Sequence, residues 1–162
     1  MAMTTKEDLF LHFLRDMFYA EKQILKALPK MAEAVDGTPL ADAFREHEQE
    51  TRGQVDRLKK VFELGNKEAK GVKCEAVIGL IEESEEIMED AKDQGVLAAG
   101  LVAGAQAVEH YEIARYGTLV EWAKELGYDE SIPLLEKNLQ EEKNADKKLT
   151  EIALDFANKQ AA

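Results

Sequence analysis

Apolar residues recur at steps of three and four along four long stretches of the chain, the spacing that gathers them on one face of a helix. One stripe runs Phe10, Leu14, Met17, Ile24, Leu28 and Met31, and a second Leu40, Phe44, Leu58 and Val61, with the polar Gln54 on the same face. A third joins Leu101, Ala105 and Val108 to Tyr116, Leu119 and Ala123, and a fourth joins Ile132, Leu135 and Leu139 to Leu149, Ala153 and Phe156. Four such faces bury themselves most simply against one another, so the chain is expected to be an all-α bundle.

Start and stop signals set the connectivity. Thr5 can cap a first helix over about 5–35, followed by acids at Glu7 and Asp8, and "DGTP" ends it with Gly37 and Pro39. A second helix over about 39–64 stops at "LGN", another over about 95–126 stops at "LGY", and the last has Pro133 in its first turn and runs to about 158. Between the two pairs, "CEAVIGLIEESEEIMEDA" reads as a short amphipathic helix with Val77, Ile78, Ile81 and Ile87 near one face. The predicted fold is therefore a ferritin-like four-helix bundle with a short crossover helix between the second and third long helices, in a single domain over residues 1–162. The halves 5–65 and 95–158 form an approximate internal repeat.

Each stripe is broken by polar groups near its middle. Glu21 fills the slot between Met17 and Ile24; His47 and Glu50 interrupt the second stripe; Glu109 and Glu112 interrupt the third, with Val108 competing for the slot of Glu109; Glu142 and Asp146 interrupt the fourth. In a bundle of similar-length helices the middles share one layer, so six carboxylates and one imidazole should converge there. Burying an uncompensated carboxylate costs several kcal/mol, and about half a dozen together exceed the ~5–15 kcal/mol stability of a domain. No lysine or arginine occupies these inner slots. Two metal ions would supply the missing positive charge, and an oxygen-rich set with a single histidine favours iron, or manganese, over zinc.

The remaining features are read as structural. His12, His110, Glu46, Glu48 and Glu141 fall on solvated faces, and Tyr19, Tyr111 and Tyr116 on packing positions, with a redox role beside the metals as the alternative. Gly100 and Gly104 in "GLVAGA" allow another helix to approach closely, either the crossover helix or a dimer partner.

A net charge of −12 argues against nucleic acid and anionic membrane surfaces as partners, because phosphate binding needs a basic face that is not visible in the sequence. The lone Cys74 cannot form an internal disulfide, and "MAMTTKEDLF" lacks the basic and apolar regions of a signal peptide. The apolar run "VLAAGLVAGAQAV" is well short of the roughly 20 residues that span a bilayer. These features predict a cytoplasmic protein without a membrane segment.

The segments "DMFYAEKQILKALPKMAEA", "HEQETRGQVDRL", "AQAVEHYEIARYGTLVEWAKELGY" and "EEKNADKKLT" closely resemble the YciE/YciF-type ferritin-like stress proteins of bacteria, over nearly the whole chain. "EHYEIARYGTL" is the most specific block. The resemblance implies a cytoplasmic ferritin-like bundle, usually dimeric, tied to stress responses and without a firmly established reaction. The wider rubrerythrin-like pattern carries over as Glu21, Glu50, Glu109, Glu112 and Glu142 for the acidic ligands. This chain departs from it twice: His47-x-x-Glu50 reverses the usual order, and Asp146 stands where a histidine is usual.

The first expectation for function is a di-iron oxidoreductase that binds Fe(II) and meets dioxygen or peroxide, as a ferroxidase or peroxide scavenger. Glu50 or Glu142 would bridge the metals, Glu21 and Glu109 would be terminal ligands, and His47 with Asp146 would complete the shell. With no rubredoxin-like Cys-x-x-Cys in the chain, a peroxidase cycle would need an external reductant. The alternative is a non-enzymatic stress protein whose metal site is structural or vestigial. A mineral-storing cage is less favoured, because the chain stops soon after Phe156 without the extra short helix of cage ferritins.

Overall fold

A computed structural model describes residues 3–161, so the first two residues of "MAMTTKEDLF" and Ala162 lie outside the described residues. Helices α1 (Lys6–Ala34), α2 (Pro39–Leu64), α3 (Glu75–Asp90), α4 (Gln94–Leu126) and α5 (Ile132–Ile152) follow in order, and α5 runs into a π-helical turn, Ala153–Ala157, and a last short helix α6, Asn158–Gln160. The caps are local chemistry. Thr5 and Asp8 form a capping box, with Asp8 N donating to Thr5 Oγ1 at 3.0 Å and Thr5 N to Asp8 Oδ2 at 3.0 Å. Thr38 caps α2 ahead of Pro39, Asp93 Oδ1 accepts from Gly95 N and Val96 N at the start of α4, and Gly127 closes α4 in the left-handed region with φ 72°.

α1 and α2 form one antiparallel hairpin and α4 and α5 the other. Lys6 pairs with Glu125, and the Phe10 and Tyr128 rings meet edge to face at 5.3 Å, which fixes α1 antiparallel to α4. Ion pairs Glu46–Lys148 and Arg57–Glu141 fix α2 antiparallel to α5. The connection from α2 to α4 climbs the length of the bundle and carries α3, which packs against α1 and α4. Two antiparallel pairs joined by one long crossover is the connectivity of a ferritin-like four-helix bundle.

α3 is the helix that Gly100 and Gly104 admit. A Cβ at Gly100 would lie 2.7 Å from Ile87 Cγ2, and one at Gly104 would lie 2.5 Å from Ser84 Oγ. At the end of α5 the regular helix expected to about 158 widens into the π turn at Ala153–Ala157, which buries Ala153 and Ala157 and brings Gln160 against the start of α4. Gly95 sits there because a Cβ would overlap the backbone carbonyl of Gln160.

The core is split in two. Toward one end Leu14, Met17, Leu58, Phe62, Leu119 and Leu135 pack together; toward the other, Ile24, Leu28, Leu40, Phe44, Leu101 and Leu149 do so beneath α3. Between the halves lies a layer of buried polar side chains. No helix among the described residues is long and apolar enough to cross a membrane.

Candidate metal centre

Three helices, α1, α4 and α5, deliver acids to the middle layer, and α2 delivers the imidazole of His47. Glu21, Glu112 and Glu142 have no exposed surface, Glu109 is 3% exposed and His47 6%. His47, Glu109, Glu112 and Glu142 offer ligand atoms that all lie within 4.8 Å of one another. His47 Nε2 stands 3.3 Å from Glu109 Oε1 and 3.5 Å from Glu142 Oε2. Glu21 borders this group from α1, close enough that its charge raises the pKa of Glu109 and Glu112.

The layer is electrostatically incomplete. Burial, followed by repulsion from neighbouring carboxylates, pushes Glu21, Glu109 and Glu112 well above the usual glutamate range. Glu142 is also raised, by burial first, although His47 draws it back. For His47, burial acts to lower the pKa, but the hydrogen bond to Glu50 and the charge of Glu142 outweigh it and the net shift is upward. Seven atoms on these five side chains have no hydrogen-bond partner, namely Glu21 Oε2, His47 Nε2, Glu109 Oε2 and both carboxylate oxygens of Glu112 and of Glu142, and the amide of the buried Gln54 is unpartnered as well. Groups left this way are costly. One imidazole nitrogen and a ring of carboxylate oxygens suit first-row divalent cations.

Surrounding residues orient the inner ones. Glu50 Oε2 lies 3.3 Å from His47 Nδ1; with the proton on Nδ1, the lone pair of Nε2 points toward Glu109 and Glu142. Tyr116 Oη donates to Glu21 Oε1 and accepts from Asn138 Nδ2 at 2.9 Å. Arg57 Nε donates to Asn138 Oδ1, and the guanidinium also pairs with Glu141, so this positive charge is engaged at the edge of the layer. The pairing also leaves Glu141 only part-exposed, and Glu48 is held the same way by Arg52, so neither lies on the open solvated face expected of it.

The structure thus brings together five of the seven residues expected in the layer: Glu21, His47, Glu109, Glu112 and Glu142. Glu50 stands at its edge, its side chain 35% exposed, behind the imidazole. Asp146 does not join them. Its side chain is 24% exposed and faces α4, accepting from Gln106 Nε2 at 3.1 Å and lying 3.2 Å from His110 Nε2. The reason is helical phase: Leu149 follows Glu142 by seven residues and stays on the seam, whereas Asp146, four residues on, is turned about 40° away from it. The inner position one turn before Glu142 belongs to Asn138, fully buried, and Leu139 is only half-buried.

A larger groove, about 640 Å³, lies at the end of the bundle between Phe10, Leu14, Phe62 and Tyr128, and none of these seven residues lines it.

The fold has counterparts in known proteins. Protein YciF of Escherichia coli K12 is 47% identical over 162 residues, 99% of this chain and 98% of its own. The crystal structure of the E. coli stress protein YciF superposes with a TM-score of 0.92 over 97% of this chain and 99% of that one. YcfI of Rhodopseudomonas palustris, proposed to be a structural protein, matches with 51% identity and a TM-score of 0.89 over 91% of this chain and 94% of that one. A protein from Xanthomonas campestris pv. campestris shares the fold at 23% identity, with a TM-score of 0.73 over 98% of this chain and 100% of that one. The family model described as a domain of unknown function, DUF892, matches residues 5–162. The chain belongs to the DUF892 family, that of the YciF-type stress proteins.

Proposed function

We propose that the middle layer binds two metal ions, iron in the first place with manganese as the alternative, and that the loaded protein acts on dioxygen or peroxide during stress. The observation that carries this reading is the set of seven unpartnered polar atoms on five buried side chains, beside which Arg57 is already engaged by Asn138 and Glu141. Metal ions are the simplest compensation for so many acids in one buried layer.

In this reading Glu109, Glu112, Glu142 and His47 hold the ions and Glu21 completes the set through Oε2. Tyr116 keeps the other oxygen of Glu21 occupied. Glu50 fixes the imidazole tautomer so that Nε2 can donate its lone pair. Iron held there would supply electrons to the oxidant. The apolar clusters on either side keep bulk water out of the layer and strengthen every charge interaction within it.

The test is rapid mixing of Fe(II)-loaded protein with peroxide or with dioxygen, following ferric absorbance. The reading expects oxidation much faster than for free iron in the same buffer; equal rates would remove the oxidoreductase part of it. A second reading, a structural metal in a non-enzymatic stress protein, is favoured by Asp146 lying outside the layer and would then stand, provided the metal still binds.

A further inference from the structure

A pocket of about 80 Å³ between α2 and α5 reaches from the surface to the centre. Its floor includes His47 and Glu109, two of the clustered ligand candidates, and its polar wall is made by Glu46, Glu50, Asn144 and Lys148. Glu46 and Lys148 pair across the helices with side chains 60% and 44% exposed, which places them at the mouth. Glu50, 35% exposed, lies between the mouth and His47 and contacts the imidazole directly. Depth and polarity therefore change together along the pocket: a charged pair outside, a half-exposed carboxylate midway, and unpartnered His47 Nε2 and Glu109 Oε2 within.

A second, smaller pocket beneath α3 touches the same two floor residues from the other side. Its wall is mostly Ile24, Met31, Ile81 and Met88, and of its two oxygen-bearing side chains apart from Glu109, Glu85 is paired with Lys30 and Ser84 is bonded to the carbonyl of Leu80. A hydrated divalent cation gives up its water only where oxygen or nitrogen ligands replace it, and an aliphatic wall offers none.

We propose that the α2–α5 pocket is the route by which divalent cations reach the centre, with Glu50 as the carboxylate that takes over from water and the Lys148–Glu46 pair as a gate. Closed, the gate neutralises Glu46 and sets a positive charge in the path of the cation. Opening needs only the rotation of two exposed side chains, a cheap motion because exposed ion pairs are worth little. The inference rests on the metal-binding reading above and adds the way in.

Routes and ligands differ in their kinetic signature. A residue that only obstructs passage slows entrance and exit by the same factor and leaves Kd alone, whereas a ligand changes Kd. The experiment is Mn(II) uptake by the metal-free full-length protein in a stopped flow, with release followed by chelator chase. Ala145→Leu, which narrows the pocket from α5 at a position that is not itself a ligand candidate, should lower both rates about tenfold or more with Kd within about twofold of the parent. Lys148→Ala, a surface change that keeps the fold, should raise both rates several-fold with Kd again unchanged. Parent-like rates in both variants would overturn the route. A changed Kd with an unchanged release rate in Lys148→Ala would show long-range attraction and overturn the gate. If the parent protein itself takes up no Mn(II) or Fe(II), the metal-binding reading fails and the route fails with it, a result distinct from binding at parent rates.

Discussion

Tyr116 Oη donates a hydrogen bond to Glu21 Oε1 in the middle of the bundle, with neither residue exposed to solvent. The bond leaves Oε2 of Glu21 as the oxygen facing the layer, and Asn138 in turn holds the phenol in place. Tyr116→Phe should therefore strand Oε1 of Glu21 and remove one partner of the Asn138 amide, which keeps the backbone carbonyl of Gln54 and the guanidinium of Arg57. The metal-free variant is expected to lose about 1–3 kcal/mol in urea unfolding. A change of a few tenths would mean that the bond contributes little.

Glu142 and Asp146 should respond in opposite ways to the same change. Glu142→Leu replaces a repelled, unpartnered carboxylate by an apolar side chain, so metal binding should be lost while the metal-free protein gains about 1–4 kcal/mol. Asp146→Leu, on a half-exposed face beside His110, should keep stoichiometric binding and gain no apo stability. Titration with Mn(II) and apo melting curves separate the pair; loss of binding in the Asp146 variant alone would reverse the assignment of the two residues.

The raised carboxylates predict an inverted pH dependence for the metal-free protein. Glu21, Glu109, Glu112 and Glu142 have folded-state pKa values above the ordinary glutamate value of 4.5, chiefly through burial. Their contribution to stability is fully present below 4.5 and is lost as pH rises through the raised values. The apo melting temperature should thus climb as pH falls from neutral toward 4.5, while the loaded protein, whose ligands must be deprotonated, should lose metal over the same range. A flat or falling apo curve would contradict the burial of these groups.

Gly95→Ala tests the seat of the C-terminal turn. The new methyl would meet backbone rather than a movable side chain, since the carbonyl of Gln160 occupies that space. Hydrogen exchange should show lost protection through the π turn and α6, with metal stoichiometry unchanged because the turn lies away from the layer. Retained protection would show that the segment can shift without detaching.

The helices were legible because capping and stop chemistry are local: Thr5, Gly37, Pro39 and Gly127 each act within a few residues. The depth of the acids was legible too, since Glu21, Glu109, Glu112 and Glu142 interrupt their stripes at matching positions. Rotation within a stripe was not. Glu142 and Asp146 both lie one step from apolar neighbours, and only the packing of α5 against α4 turns Asp146 outward toward Gln106 and His110. Asn138 was hidden for the same reason, because Leu139 offered a more apolar occupant of the seam. The π turn at Ala153–Ala157 carries no capping signal, and depends on how the chain end packs against α4.

Anomalous scattering from crystals of anaerobically purified, metal-loaded protein tests the central claim most directly. The account predicts two peaks in the layer between the two apolar clusters, with Glu109, Glu112, Glu142 and His47 Nε2 as ligands and Glu21 Oε2 facing them. Peaks at Asp146 and His110 instead, or a layer that stays empty at saturating Fe(II) and Mn(II), would contradict it.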